Sequence, residues 1–154
     1  MHLSASARLL IVAQAPGARV HASGISFTDP SGDRLRDWLG VDRETFYDRR
    51  RFAVLPMAFC FPGYDAKGAD LPPPPICART WRARALAAMP KVRLTLLVGG
   101  HAQRWHLHAG AVTESAGQLT ASLGSVSLVT LTGASSSVFV SDAVPVGEQW
   151  DLGG

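Results

Sequence analysis

The residues best placed for chemistry are Gln14, Ala15, Pro16 and Gly17, which follow directly on the apolar run Leu9-Leu10-Ile11-Val12-Ala13. A continuous apolar run of this length fits a strand buried on both faces, as in a parallel sheet. In such sheets ligands sit beyond the carboxyl ends of the strands. A plain strand-to-loop turn is the competing interpretation, because Pro-Gly punctuates many loops. Cys60 and Cys77 are the only thiols, too few for a disulfide scaffold. All 15 Lys and Arg residues fall in residues 1–108 beside 8 acidic ones, a net charge of +7. Residues 109–154 hold 4 acidic residues and no Lys, Arg or His, a net charge of −4. A basic front part suits an anionic partner, nucleic acid first among them, and a merely soluble basic surface is the plainer account of the same charge.

Local signals say which elements must position these residues. At 154 residues, 47% apolar and 18% charged, the chain has the make-up of a single folded domain. Its apolar runs fall far short of the ~20 residues of a membrane span. Met1–Ala7 lacks the pattern of a signal peptide, so a cytoplasmic protein is expected. The segment 29–40 reads as a helix with Asp29 as N-cap, Pro30 in the first turn, Leu35, Trp38 and Leu39 on one face, and Gly40 as the stop. Asp42 is placed to cap a further turn near Glu44–Tyr47. Phe52–Phe59 suggests a second strand, ending near Pro56 because proline cannot donate to a central ladder. From Cys60 to Cys77 a Gly- and Pro-rich stretch reads as a long stiff loop, a kind that is usually functional or disordered. Cys77–Met89 suggests an amphipathic helix showing Trp81, Leu86 and Met89, ended by Pro90. Val92–Val98 suggests a third strand, stopped by Gly99-Gly100 and followed by a helix from His101 to Leu107. Strand and helix alternating in this way predict an α/β fold, three layers α/β/α around a short parallel sheet.

Beyond residue 108 the texture changes to Ser, Thr, Gly, Val and Leu, with one candidate strand at Ser125–Thr132. The organisation expected is a core over residues 1–108 and a divergent tail over 109–154. The tail either completes the sheet, or is disordered, or is translated in a different reading frame from its ancestor.

With these pieces in order, the chain resembles the uracil-DNA glycosylase superfamily, in particular bacterial proteins related to its family-four, iron–sulfur-containing branch. The resemblance rests on the segments 9–17, Gly24-Ile25-Ser26-Phe27, 31–40, 55–63, Asp70-Leu71-Pro72-Pro73 with Cys77, and 94–99, and it spans roughly residues 8–107. It implies base excision, with uracil-containing DNA as partner and the N-glycosidic bond of the uracil hydrolysed after the base leaves the stack. By the same resemblance Gln14, Ala15, Pro16 and Gly17 lie beside the uracil and the attacking water. Phe27 corresponds to the aromatic that stacks on the flipped base. Stacking of this kind is worth roughly 1–3 kcal/mol. Arg19 and Lys67 are the candidate DNA contacts, since phosphate contacts dominate affinity in such complexes; Arg49-Arg50-Arg51 reads better as a solvated turn.

The chain also departs from the pattern it resembles. Relatives often carry a carboxylate in the first motif to orient water, and here Gln14 and Ala15 supply none. His21 and Asp29 are the substitutes within reach, against the plainer readings of an exposed loop histidine and a helix cap. Cys60 and Cys77 are spaced like the second half of the relatives' four-cysteine iron–sulfur site. A [4Fe–4S] cluster is therefore expected only if a second cysteine pair is supplied; otherwise the two are free thiols and no cofactor is expected. The His-Pro-Ser motif of relatives does not occur, and His101, His106 and His108 fall in the wrong place by family order. The expectation is a monomeric uracil-DNA glycosylase-like repair protein. The alternatives are a catalytically inactive DNA-binding remnant of that family, or a partial product of a damaged gene.

Overall fold

A computed structural model describes residues 1–106, together with the backbone of three later strands at 112–115, 118–121 and 138–141. The apolar run at the start forms β1 (Leu9–Val12), buried at all four positions, and it occupies the centre of the sheet. It pairs in parallel with β2 (Phe52–Val54) on one side and with β3 (Leu94–Val98) on the other, with Leu9 opposite Phe52 and Leu94. Helices connect them: α1 (Ala18–Ser23), α2 (Pro30–Leu39) and α3 (Arg43–Tyr47) between β1 and β2, then α4 (Pro75–Ala87) before β3 and α5 (Gly100–His106) after it.

The two-residue period of β1 sorts its side chains between two cores. Leu10 and Val12 pack with Ala53, Leu97, Ala78 and Ala102, which brings α4 and α5 against one face. Leu9 and Ile11 pack with Phe52, Leu35 and Phe46, which brings α2 and α3 against the other. This is the three-layer α/β/α arrangement expected from the alternation of elements.

The fourth strand differs from that expectation. β4 (Val112–Ser115) and β5 (Gln118–Ala121) form an antiparallel pair of their own. β6 (Val138–Ser141) joins the main sheet antiparallel to β3, giving the order β2-β1-β3-β6. The candidate strand at Ser125–Thr132 lies outside the described residues.

Local chemistry sets most of the helix ends. Asp29 caps α2 by accepting from the Gly32 N–H, Pro30 occupies the first turn, and Gly40 closes the helix in the left-handed region at φ 63°. Asp42 caps α3 through the Thr45 N–H, at 2.7 Å. β2 ends at Val54, close to Pro56, where a stop was expected because proline lacks an N–H. The chain nevertheless stays beside β1, with Leu55 donating to Ile11 and Met57 to Ala13.

α4 corrects the expectation made for it. It begins at Pro75, where a missing N–H costs nothing, and the face built on Trp81 and Leu86 is not the buried one. Trp81 is 47% exposed and Leu86 37%, whereas Ala78 and Arg82 are 4% exposed. Small alanines let the helix approach the sheet closely. Arg82 enters because its guanidinium has acceptors there: the carbonyls of Leu55 and Pro56 at 3.0 and 3.1 Å and Nε2 of His106 at 3.0 Å. Among the described residues no helix is long and apolar enough to cross a membrane.

Candidate active site

The carboxyl end of β1 opens into a small cleft, partly open to solvent, with a cavity volume of about 60 Å³. Its walls come from four segments adjacent in space. The β1–α1 loop gives Ala13, Ala15, Pro16 and Gly17, the α1–α2 loop Ser26 and Phe27, the start of α2 Asp29 and Ser31, and the end of β2 Val54 and Pro56, with Val20 of α1 between them. Three of the four residues singled out at 14–17 thus meet Phe27 around one hollow.

The β1–α1 loop is short because Gly17 starts α1 at once, with the His21 N–H reaching back to the Gly17 carbonyl at 2.8 Å. The N–H groups of Ala15 and Gly17 bond no acceptor among the described residues. Two backbone donors at the cleft are thus left for a ligand oxygen.

Gln14 goes elsewhere. Its side chain does not line the cleft and instead approaches Gly99 at the end of β3, where a Cβ would lie 4.0 Å from its Oε1. Its carbonyl accepts from Ala58 at 3.2 Å. The chain bends at Gln14, just past the end of β1, and there the side chain leaves the cleft that Ala13 and Ala15 line.

Phe27 is built in with more care than its neighbours. It adopts φ 60°, the one non-glycine residue with positive φ among those described. A bulky side chain in this region costs about 1–3 kcal/mol and persists only when its surroundings hold it. Here the Phe27 carbonyl accepts from Arg36 Nη1 at 3.0 Å and from the Tyr47 hydroxyl at 3.1 Å. The first turn of α2 passes so close that a Cβ on Gly32 would fall 1.9 Å from that same oxygen. The ring meets Phe46 edge-on at 5.9 Å, and Phe46 is fully buried against Phe52. Arg36 is itself buried, bonded to Asp33, with its guanidinium 5.3 Å from the Phe46 ring centre. None of these supports was anticipated from the sequence; Arg36 and Tyr47 are separated from Phe27 by 9 and 20 residues.

The remaining candidates surround the cleft or stand apart from it. Arg19 is exposed on α1, and His21, also exposed, accepts from the Phe61 N–H through Nδ1 at 3.3 Å. His21 is therefore on a helix rather than in a loop, and it ties the segment after Cys60 to α1. Lys67 is exposed at the tip of a small hairpin in which Asp65 accepts from the N–H groups of Lys67 and Ala69. The stiff loop expected at 60–77 thus contains a turn of its own, closed by pairing of Tyr64 with Asp70. His101 and His106 lie on α5, on the far side of the sheet from Phe27.

Cys60 is exposed and Cys77 half-buried, and both are free thiols. Among the described residues no three His, Cys, Asp or Glu side chains gather as a metal site. With two cysteines in the chain, the residues present do not fit a four-thiolate cluster.

The model of one protein family, the uracil DNA glycosylase superfamily, matches this chain over residues 1–143.

Proposed function

The chain belongs to the uracil DNA glycosylase superfamily, and on that premise we propose that it excises uracil from DNA by hydrolysing the base–sugar bond. The observation that carries this reading is the cleft at the carboxyl end of β1, with the Phe27 ring on one wall and Ala15-Pro16-Gly17 on another. A base turned out of the helix enters the cleft and lays its face on Phe27. The free N–H groups of Ala15 and Gly17 meet an oxygen of the uracil as negative charge develops on it. Donors fixed before the reaction need no reorganisation and are worth most in a partly dry site. Arg19, half a turn into α1, takes a flanking phosphate, with Lys67 further out. Gln14 serves through the backbone around it; its side chain, turned toward Gly99, is not given the role of holding water.

Single-turnover assays on single- and double-stranded oligonucleotides carrying one deoxyuridine test this. The expected result is release of free uracil. Phe27→Ala should slow release by about 5- to 150-fold, the equivalent of 1–3 kcal/mol of stacking. No release from either substrate would end this reading.

A second reading is favoured by one observation: the β1–α1 loop brings no carboxylate to the cleft. In that case the protein binds DNA through the same surface without cleaving it. Tight binding of the uracil oligonucleotide with no base released would select it.

A further inference from the structure

The β1–α1 loop lacks an acid, yet the cleft does not. Of the described residues lining it, Asp29 alone has a titratable side chain. It sits two residues after Phe27, and its position is fixed from both directions. Its backbone is extended at φ −97° and ψ 177°, and Pro30 follows it as the first residue of α2. Its side-chain bonds among the described residues both fall on Oδ1, which accepts from the Gly32 N–H at 3.2 Å and from the Ser31 hydroxyl. Oδ2 accepts from no group among the described residues. The carboxylate is thus anchored by one oxygen and offers the other.

Helix capping accounts for only half of this arrangement. Asn and Ser cap as well as Asp does, so a cap needs an acceptor but not a charge. The helix dipole favours a negative charge here by about 0.3–1 kcal/mol; the free oxygen and the place in the cleft wall beside the stacking ring need another explanation.

We propose that Asp29 is a catalytic residue, the carboxylate that orients the hydrolytic water and takes its proton. The inference rests on the base-excision reading above and moves the acid from the β1–α1 loop to the N-terminus of α2. In the step, the bond between the sugar C1′ and the uracil nitrogen breaks and its electron pair leaves with the uracil. The water oxygen bonds C1′, and the water's proton passes to Asp29 Oδ2 and from there to solvent. The uracil anion takes a proton from bulk water, so the net change is hydrolysis. The Ser31 hydroxyl keeps Oδ1 occupied and the carboxylate turned with Oδ2 free.

The test uses Asp29→Asn and Asp29→Ser, which keep a capping acceptor and remove the base. Three quantities are measured: single-turnover uracil release, affinity for a duplex carrying the uncleavable 2′-fluoro-deoxyuridine, and the thermal midpoint. Loss of a general base costs about 10²- to 10⁴-fold in rate. The expected result is a loss of that size in both variants with affinity unchanged and the midpoint lowered by no more than the loss of one charge at a helix end, about 0.3–1 kcal/mol. Variants that release uracil as fast as wild type overturn the proposal and leave the base-excision reading standing. A rate lost only in step with affinity or midpoint makes Asp29 a cap and overturns it too. A wild-type protein that releases no uracil ends both.

Discussion

The Tyr47 hydroxyl shares its one proton between the carbonyl oxygens of Ser26 and Phe27, at 2.8 and 3.1 Å. One phenol on α3 thereby holds two consecutive peptide groups of the loop that presents the Phe27 ring. Arg36 donates to the same Phe27 oxygen. Hydrogen bonds contribute about 1 kcal/mol each, so these two donors offset much of the roughly 1–3 kcal/mol cost of a phenylalanine at positive φ. The wall of the cleft is held from behind by α2 and α3, and this permits Phe27 to stand in a conformation it would not adopt alone.

Replacing Tyr47 by Phe removes the bonds and keeps the ring that packs edge-on against Phe46 at 5.1 Å. Stability should fall by about 1–2 kcal/mol in urea melts. If the cleft acts as proposed, uracil release at saturating enzyme should fall as well, because the stacking ring is no longer held in place. Unchanged stability would show that these two bonds contribute nothing.

Gly32→Ala tests the close approach of α2 to the same loop. The new methyl meets the Phe27 carbonyl oxygen at 1.9 Å and its carbonyl carbon at 2.5 Å, both backbone atoms that cannot swing aside. A loss of at least ~2 kcal/mol is expected, above the ordinary cost of overpacking, with a lowered thermal midpoint. Gly17→Ala is the control: its φ is −69° and nothing lies within 4 Å of the added carbon. Its effect on stability should stay within about 0.5 kcal/mol.

Arg82 should matter more for stability than any other charged side chain described. Burial lowers its pKa to about 10, so it remains a cation at neutral pH, and its bonds run to two main-chain carbonyls and a histidine. Arg82→Met leaves those acceptors unpaired in a dry setting and should cost about 3 kcal/mol in denaturant unfolding. Arg82→Lys should recover only part of that, since one ammonium cannot reproduce the planar fork that spans all three partners.

His2 gives the fold an acid-sensitive contact. It bridges the edge of β2 at Val54, and burial, then Arg49, lowers its pKa from the ordinary 6.5. A depressed histidine pKa means that the folded state prefers the neutral ring. Its contribution is intact above pH 6.5 and is lost as the pH falls below that value toward the folded one. Thermal midpoints measured from pH 7.5 down to pH 5 should drop more steeply for wild type than for His2→Asn. Parallel curves for the two would remove His2 as the cause.

Legibility followed the range of the interaction. The caps at Asp29 and Asp42 and the stop at Gly40 are bonds spanning three or four residues, so residue type and spacing sufficed. The strand β1 showed in a continuous apolar run because a strand covered on both faces has no polar side to interrupt it. The family resemblance, too, was carried by short segments in order, and the family match over residues 1–143 agrees with it.

By itself, then, the sequence determined the layered α/β core and the ends of its first helices, because each depends on neighbours in the chain. Tertiary structure alone decided the rest. It placed Arg82 inside in preference to Trp81, set β6 antiparallel on β3, turned Gln14 out of the cleft and brought Asp29 into it, and braced Phe27 with Tyr47 from twenty residues away. These outcomes depend on which acceptors and which open spaces meet across the sheet, and the local pattern of residue types carries no record of that.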